Sequence, residues 1–240
     1  MDSQDFRYSG AEFEALSQAN NYYRWIRTMF GEHLYGRVVE VGAGRGNFSE
    51  RLLALEAIDE LLLVEPDQQL YQGLRGRFAD EPRVTAFEGY FGDGDLGGLV
   101  DAIVLVNVLE HIEDDDGLVQ MACQALGPGG ALLLFVPAGP SLFGSLDRAF
   151  DHFRRYERGG LVDLLTRGGL EVAAMHYVNA PGALIWFLAG RVFCQRTIRP
   201  AQMKLYDRLA IPLISRFETI LRPPRGQSLM AIAMKPGVSA

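Results

Sequence analysis

Residues 38 to 47 read Val-Val-Glu-Val-Gly-Ala-Gly-Arg-Gly-Asn, an apolar run that gives way to three glycines at alternate positions. The run before the glycines has the character of a strand and Phe48 to Leu55 that of a helix, so the glycines occupy the turn between the two. Gly42, Gly44 and Gly46 permit positive φ and let backbone approach a ligand closely. Their G-x-G-x-G spacing differs from the G-x-G-x-x-G of dinucleotide sites, and Glu40 stands two residues ahead of the first glycine. A carboxylate there repels a pyrophosphate but matches an ammonium or sulfonium group in charge. Inside an apolar strand an unpaired charge is costly, so an ordinary structural acid is disfavoured.

Strand and helix signals alternate along the chain. Strands are expected over 37–41, 60–65, 83–88, 101–106 and 130–137, and helices over 47–55, 68–78 and 115–126. A helix over 159–168, stopped by Gly168 and Gly169, a strand over 170–177 and a last strand over 228–235 complete the series. The pattern predicts an α/β fold with a mostly parallel sheet and helices on both faces. Before it, Asp5 to His33 reads as a helical entry segment whose aromatics, Tyr22, Tyr23, Trp25 and Phe30, cover the ligand mouth.

Four motifs in order carry a family resemblance. They are the glycine turn with Glu40, the strand ending in Glu65 about twenty residues on, the segment Asn107-Val108-Leu109-Glu110-His111-Ile112 after a strand, and Pro128-Gly129-Gly130 before another. In this the chain resembles the class I S-adenosylmethionine-dependent methyltransferases. The resemblance implies a Rossmann-like seven-stranded sheet, here with a helical insertion before the last strand. It divides the chain into an N-terminal helical cover (1–36), a donor-binding core (37–177), a helical insertion (178–226) and a final strand with its tail (227–240).

The same resemblance assigns donor-binding positions. Glu40, Gly42, Ala43, Gly44 and Gly46 would take the methionine end, Glu65 the ribose hydroxyls, Pro66 and Asp67 the adenine edge, and Asn107 and Val108 the amino-acid part. Many relatives place an acid where this chain has Tyr90, so Tyr90 or Phe91 is expected to stack on adenine, with Asp93 as a substitute acid. The donor is S-adenosylmethionine, the product S-adenosylhomocysteine, and no metal is expected. The two cysteines, Cys123 and Cys194, fit no metal-ligand spacing and no disulfide pattern.

Acceptor chemistry is expected in two places. His111 follows the fourth strand and can take a hydroxyl or amine proton near neutral pH. A D-x4-H-x-R-R-Y segment, Asp147 to Tyr156, supplies His152 as the rival base. Asp147, Arg154, Arg155, Tyr156 and, from the entry segment, Tyr22 are the candidate acceptor contacts, the arginines binding a carboxylate or phosphate in two-point fashion. The competing reading makes this segment a salt-bridge module that closes a loop. The acids from Glu113 to Asp116 open the next helix and are expected to cap it.

Charge divides the chain. Residues 1–177 hold 14 Lys or Arg against 28 Asp or Glu, whereas residues 178–240 hold 9 against 2. The acidic bulk disfavours a nucleic-acid partner, while the basic end suits an anionic one. The insertion is apolar as well as basic, with Ile185 to Leu188 and Leu205 to Leu221 reading as amphipathic helices bounded by prolines. A lid over the acceptor, a homodimer contact and a peripheral membrane patch compete for it. The N-terminus lacks the pattern of a signal peptide, from which a cytoplasmic setting is expected. The expected activity is methyl transfer to a small-molecule, glycan or lipid-linked acceptor, at oxygen. The alternatives are a catalytically inactive donor-binding subunit and a nicotinamide-dependent oxidoreductase, the latter disfavoured by the glycine spacing and Glu40.

Overall fold

The computed structural model describes residues 19–237. Seven strands form one sheet: β1 (Gly36–Val41), β2 (Ile58–Glu65), β3 (Val84–Glu88), β4 (Val100–Val106), β5 (Leu126–Pro137), β6 (Glu171–Val178) and β7 (Ser228–Met234). Their spatial order is β3-β2-β1-β4-β5-β7-β6. The first five run parallel, and β7 enters antiparallel between β5 and β6. The strand order reverses beside β1 and β4, so their carboxyl ends flank a crevice of the kind that receives ligands in open α/β sheets.

Nine helices accompany the sheet among the described residues: α1 (Asn20–Phe30), α2 (Ser49–Leu53), α3 (Gln68–Arg77), α4 (Asp115–Ala125), α5 (Ser145–Ala149), α6 (Arg158–Arg167), α7 (Ala180–Phe187), α8 (Pro200–Leu209) and α9 (Ile211–Ile220). Alternation along β5 shows how they are held. Leu132, Leu134 and Val136 point into one apolar layer with Leu118 and Val119 of α4 and Leu161 and Leu165 of α6. Ala131, Leu133 and Phe135 point into the other, with Ile26 and Phe30 of α1, Leu52 of α2, Leu74 of α3 and Ile211 of α9. Helices thus cover both faces, as two-sided burial of a parallel sheet demands.

Several boundaries differ from the sequence reading. The helix expected over 47–55 is the single turn and a half of α2, because residues 42–48 are spent on the glycine turn. The strand expected from residue 130 begins at Leu126, with the irregularity absorbed where pairing jumps from Val100↔Leu126 to Ala102↔Ala131. The helical stretch expected over 205–221 starts earlier, at Pro200, and its expected boundary at Pro212 appears as a break at Ala210, with Pro212 in the first turn of α9. Of the N-terminal cover, residues 1–18 lie outside the described residues, as do 238–240 of the tail. From Asn20 the cover is helical: α1 packs Tyr23 and Phe30 against Phe48, just past the glycine turn, and Tyr22 against Phe135.

The insertion leaves and re-enters the sheet at paired residues, Val178 and Ser228. Asn179, in the left-handed region at φ 60°, starts α7 and accepts from the Gly182 amide. Its side chain also donates to Gln227 at 2.9 Å and accepts from the Tyr206 hydroxyl at 2.6 Å. Asp207 of α8 reaches back to the start of the chain, where its carboxylate accepts from the amides of Asn21 and Tyr22 at 3.1 and 2.8 Å.

Candidate active site

The glycine turn lies at the carboxyl end of β1. Gly42 has φ 70° and Gly46 φ 77°, and side chains are excluded at both on steric grounds too. A Cβ on Gly42 would stand 2.7 Å from Val108, and one on Gly46 2.5 Å from the Phe78 ring. Gly42 and Ala43 donate to the Val64 carbonyl at 2.8 and 3.1 Å, which pins the turn to the end of β2. There the buried Glu65 carboxylate accepts from the Gly44 amide at 2.7 Å and from the Asp67 amide at 2.9 Å. Burial raises its pKa, and the two amides oppose the rise.

Glu40 is buried in β1 at 4 % exposure. Burial pushes its carboxyl up to about 8; the Ser49 hydroxyl lowers it and the neighbouring Glu65 raises it. Its Oε2 has no hydrogen-bond partner of good geometry, although it is sealed from solvent. A buried acceptor oxygen without a donor, beside a turn stripped of side chains, fits a cationic ligand bearing N–H groups.

Asp67 caps α3, its Oδ1 accepting from Gln69 and Leu70 at 2.9 and 3.0 Å, so that oxygen is committed to the helix rather than to an adenine edge. At the end of β3, Tyr90 is 47 % exposed and Phe91 is buried in the core. Of the two aromatics, then, the structure leaves only Tyr90 presented to solvent, while Asp93 accepts from the Tyr90 amide at 2.9 Å. Pro66 is half-buried beside Glu65. Asn107 takes φ 54°, a turn that seats Val108 against Gly42 and leads into the short helical turn Leu109–His111.

The acceptor-side candidates converge on one buried cluster. His111 and His152 meet edge to face with ring centroids 4.8 Å apart. Asp147, fully buried on α5, accepts from His152 Nδ1 at 3.1 Å, Arg155 Nε at 2.6 Å, Trp186 Nε1 at 3.1 Å and the Gly144 amide at 2.8 Å. Burial alone would raise its pKa, but the His152 hydrogen bond, the Arg155 charge and the other two donors outweigh it and hold the carboxyl at about 2. Arg155 also donates to the Ala138 carbonyl at 2.8 Å and lies over the Trp186 ring.

The remaining members of the segment are tied to α4 and its approach. Arg154 pairs with Asp115 at 2.8 Å and donates to the Glu113 carbonyl at 2.7 Å. Tyr156 donates to Asp115 at 2.9 Å and to the Leu109 carbonyl, and burial drives its hydroxyl pKa upward. The expected two-point contact of Arg154 or Arg155 with an acceptor anion would therefore have to displace Asp115 or Asp147. Asp114 caps α4 and Asp116 pairs with Arg167, as expected of acids opening a helix. Tyr22 packs beneath α1 at 7 % exposure instead of standing at an open acceptor surface. Trp186, read from the sequence only as part of an amphipathic helix and given no place in the site, joins the insertion to the cluster across 39 residues of chain, a contact with no local signal.

A family model described as a methyltransferase domain matches residues 11–177. The chain belongs to that family. It carries a methyltransferase domain of the class I, S-adenosylmethionine-dependent kind. Among solved structures, this methyltransferase resembles the Haloferax volcanii complex of the Trm112 methyltransferase activator with a methyltransferase (15 % identity, 96 % and 99 % of the two chains, TM-score 0.63). It also resembles the N-methyltransferase NodS of Bradyrhizobium japonicum bound to S-adenosylhomocysteine (14 % identity, 92 % and 87 %, TM-score 0.57). A short stretch is similar to ribosomal RNA small subunit methyltransferase A of Prochlorococcus marinus, 51 % identical over 53 residues, 22 % of this chain. The methyltransferase spans about a fifth of the length of that curated relative, 19 %.

Proposed function

We propose that the enzyme methylates a hydroxyl of a lipid-linked acceptor while its insertion rests on an anionic membrane surface. The supporting observation is the composition of the insertion's exposed side together with its attachment. Among the described residues, twelve of the eighteen exposed large hydrophobic residues lie between Leu184 and Leu221, including Phe193, Phe217, Ile220 and Leu221 at 68, 64, 81 and 71 % exposure. Eight Arg or Lys residues between Arg191 and Arg225 are exposed beside them, and the only acids in the insertion, Asp207 and Glu218, face inward or bind backbone amides. Apolar side chains among bases and without exposed acids are suited to the headgroup region of an anionic bilayer. No helix among the described residues is long and apolar enough to cross it. The first helix of this surface, α7, is anchored by Trp186 to the cluster holding His152.

S-adenosylmethionine supplies the methyl group from a sulfonium sulfur. Glu40 would meet its cationic end and Glu65 its ribose. A hydroxyl acceptor must lose a proton as its oxygen attacks, and the centre formed by His111, His152 and Glu110 is where we place that loss. Co-sedimentation tests the membrane part. Vesicles of phosphatidylglycerol and phosphatidylcholine should retain the protein, salt should weaken retention, and Phe193→Ser/Phe217→Ser/Ile220→Ser should reduce it at least tenfold without lowering Tm. Equal partition of the variant, or a dimer that buries these residues, would overturn the membrane reading.

Glu40 gives a separate test. Its folded pKa is raised above the unfolded value, so between about 4.5 and 8 the donor-free fold holds a proton that the unfolded chain lacks, and stability falls as pH rises through that window. A cationic ligand reverses the preference. Donor binding at pH 7 should release close to one proton, read by calorimetry in buffers of different ionisation enthalpy, and affinity should rise between pH 6 and 8. Glu40→Gln should abolish both effects; proton release unchanged in that variant would remove Glu40 from the donor site.

A further inference from the structure

We infer that Glu110, His111 and His152 form a binding site for one divalent first-row transition-metal ion. One donor atom from each lies within 4.8 Å of the others, and all three residues are buried. The surroundings prepare the imidazoles for this task. His152 Nδ1 meets the Asp147 carboxylate at 3.1 Å, an oxygen that also accepts from Arg155, so the neutral ring carries its proton on Nδ1 and a lone pair on Nε2. His111 Nδ1 faces the Asp151 carbonyl at 3.4 Å, and a carbonyl only accepts, which sets the same tautomer. An imidazole whose second nitrogen is held by a carboxylate or carbonyl is the usual arrangement of a metal-ligating histidine. Asp151 takes φ 59° to present that carbonyl. The Phe153 amide donates to the Glu110 carbonyl at 2.9 Å, joining the two segments that carry the ligands.

Two imidazoles and one carboxylate suit Zn²⁺, Co²⁺, Mn²⁺ or Fe²⁺ rather than Mg²⁺ or Ca²⁺, which prefer oxygen donors. Ligands about 2.0–2.2 Å from a tetrahedral ion stand roughly 3.3–3.6 Å apart, so donor atoms that lie within 4.8 Å of one another must close by at most about 1.5 Å. The ion would lower the pKa of an acceptor hydroxyl, a role that rests on the transfer reading above. The hydroxyl proton passes to solvent, the oxygen forms its bond to the methyl carbon, and the carbon–sulfur pair stays on sulfur. The histidines then act as ligands and the ion does the acidifying.

The full chain, stripped with chelator, would be titrated with Co²⁺ and then Zn²⁺ while S-adenosylmethionine binding is followed separately. One Co²⁺ per chain with visible d–d bands, displaced by Zn²⁺, is expected. Glu110→Gln and His111→Gln should each weaken the ion at least tenfold, and Cys123→Ser/Cys194→Ser should leave it unchanged. In the unaltered protein, Zn²⁺ should shift the ring ¹⁵N resonances of two of the four histidines, a result that needs no variant to fold. Absence of bands and of ¹⁵N shifts, or bands that survive Glu110→Gln/His111→Gln, would overturn the metal site. Donor binding that persists without metal binding would leave the transfer reading standing.

Discussion

Asp147→Ala is expected to be the most damaging single substitution in the protein, costing about 3–5 kcal/mol of folding stability. The carboxylate is fully buried and accepts four hydrogen bonds, one from the buried Arg155 guanidinium. Removing it strips a buried cation of its charge partner and leaves the Trp186 and Gly144 donors without an acceptor. In a chain of this length each kcal/mol is worth about 2–4 °C, so Tm should fall by roughly 10 °C. The sign of the pH dependence follows from the depressed pKa. Stability from Asp147 is present above the unfolded value of 3.8 and is lost as pH falls through about 2, a loss of about 2 kcal/mol. Asp147→Asn should erase this acid sensitivity. Urea midpoints at pH 7 and pH 3 decide the matter: a variant within about 1 kcal/mol of the parent would show that the cluster is not a stabilising centre.

Glu65→Ala should weaken S-adenosylmethionine binding by roughly 10²–10³-fold, the equivalent of two charge-assisted hydrogen bonds. Loop collapse could mimic this, because the same carboxylate holds the amides of Gly44 and Asp67. Deoxyribose analogues of S-adenosylhomocysteine separate the two causes. Removing a ribose hydroxyl should cost the unaltered enzyme at least tenfold and cost Glu65→Ala almost nothing, since the partner is already gone. Equal penalties in both proteins would mean that Glu65 shapes the turn and does not touch the ribose.

The donor half of the molecule was legible in sequence because its determinants are local. The glycine turn, Glu40 and Glu65 fall at strand ends whose apolar runs announce themselves, and strands β1, β2 and β4 begin within two residues of expectation. The acceptor half was legible only as an inventory. Asp147, His152, Arg154, Arg155 and Tyr156 stand in one short segment, but pattern alone cannot say whether two arginines face a ligand or a neighbouring acid. Asp115, from the start of another helix, and Asp147, from within the segment, decide that by pairing with Arg154 and Arg155, and the segment serves largely as scaffold. Glu110 and His111 reach His152 from another strand's end, so the metal-ligating set has no linear spacing to betray it. The insertion's basic, apolar character was plain in composition, whereas its Trp186 anchor was not.

Asp207 carries a consequence for the order in which this enzyme is made. An isolated helix of eleven residues such as α1 is marginal in water. The side chain that satisfies its first amides comes from a residue 185 positions later. During synthesis α1 is the earliest of the described helices to leave the ribosome, yet its cap arrives after six of the seven strands have been translated. A nascent chain stalled before α8 therefore has its donor-side strands but lacks the carboxylate that fixes the helix packed over the glycine turn. Acquisition of tight donor binding should coincide with the emergence of α8, and not with completion of the turn that gives the family its signature.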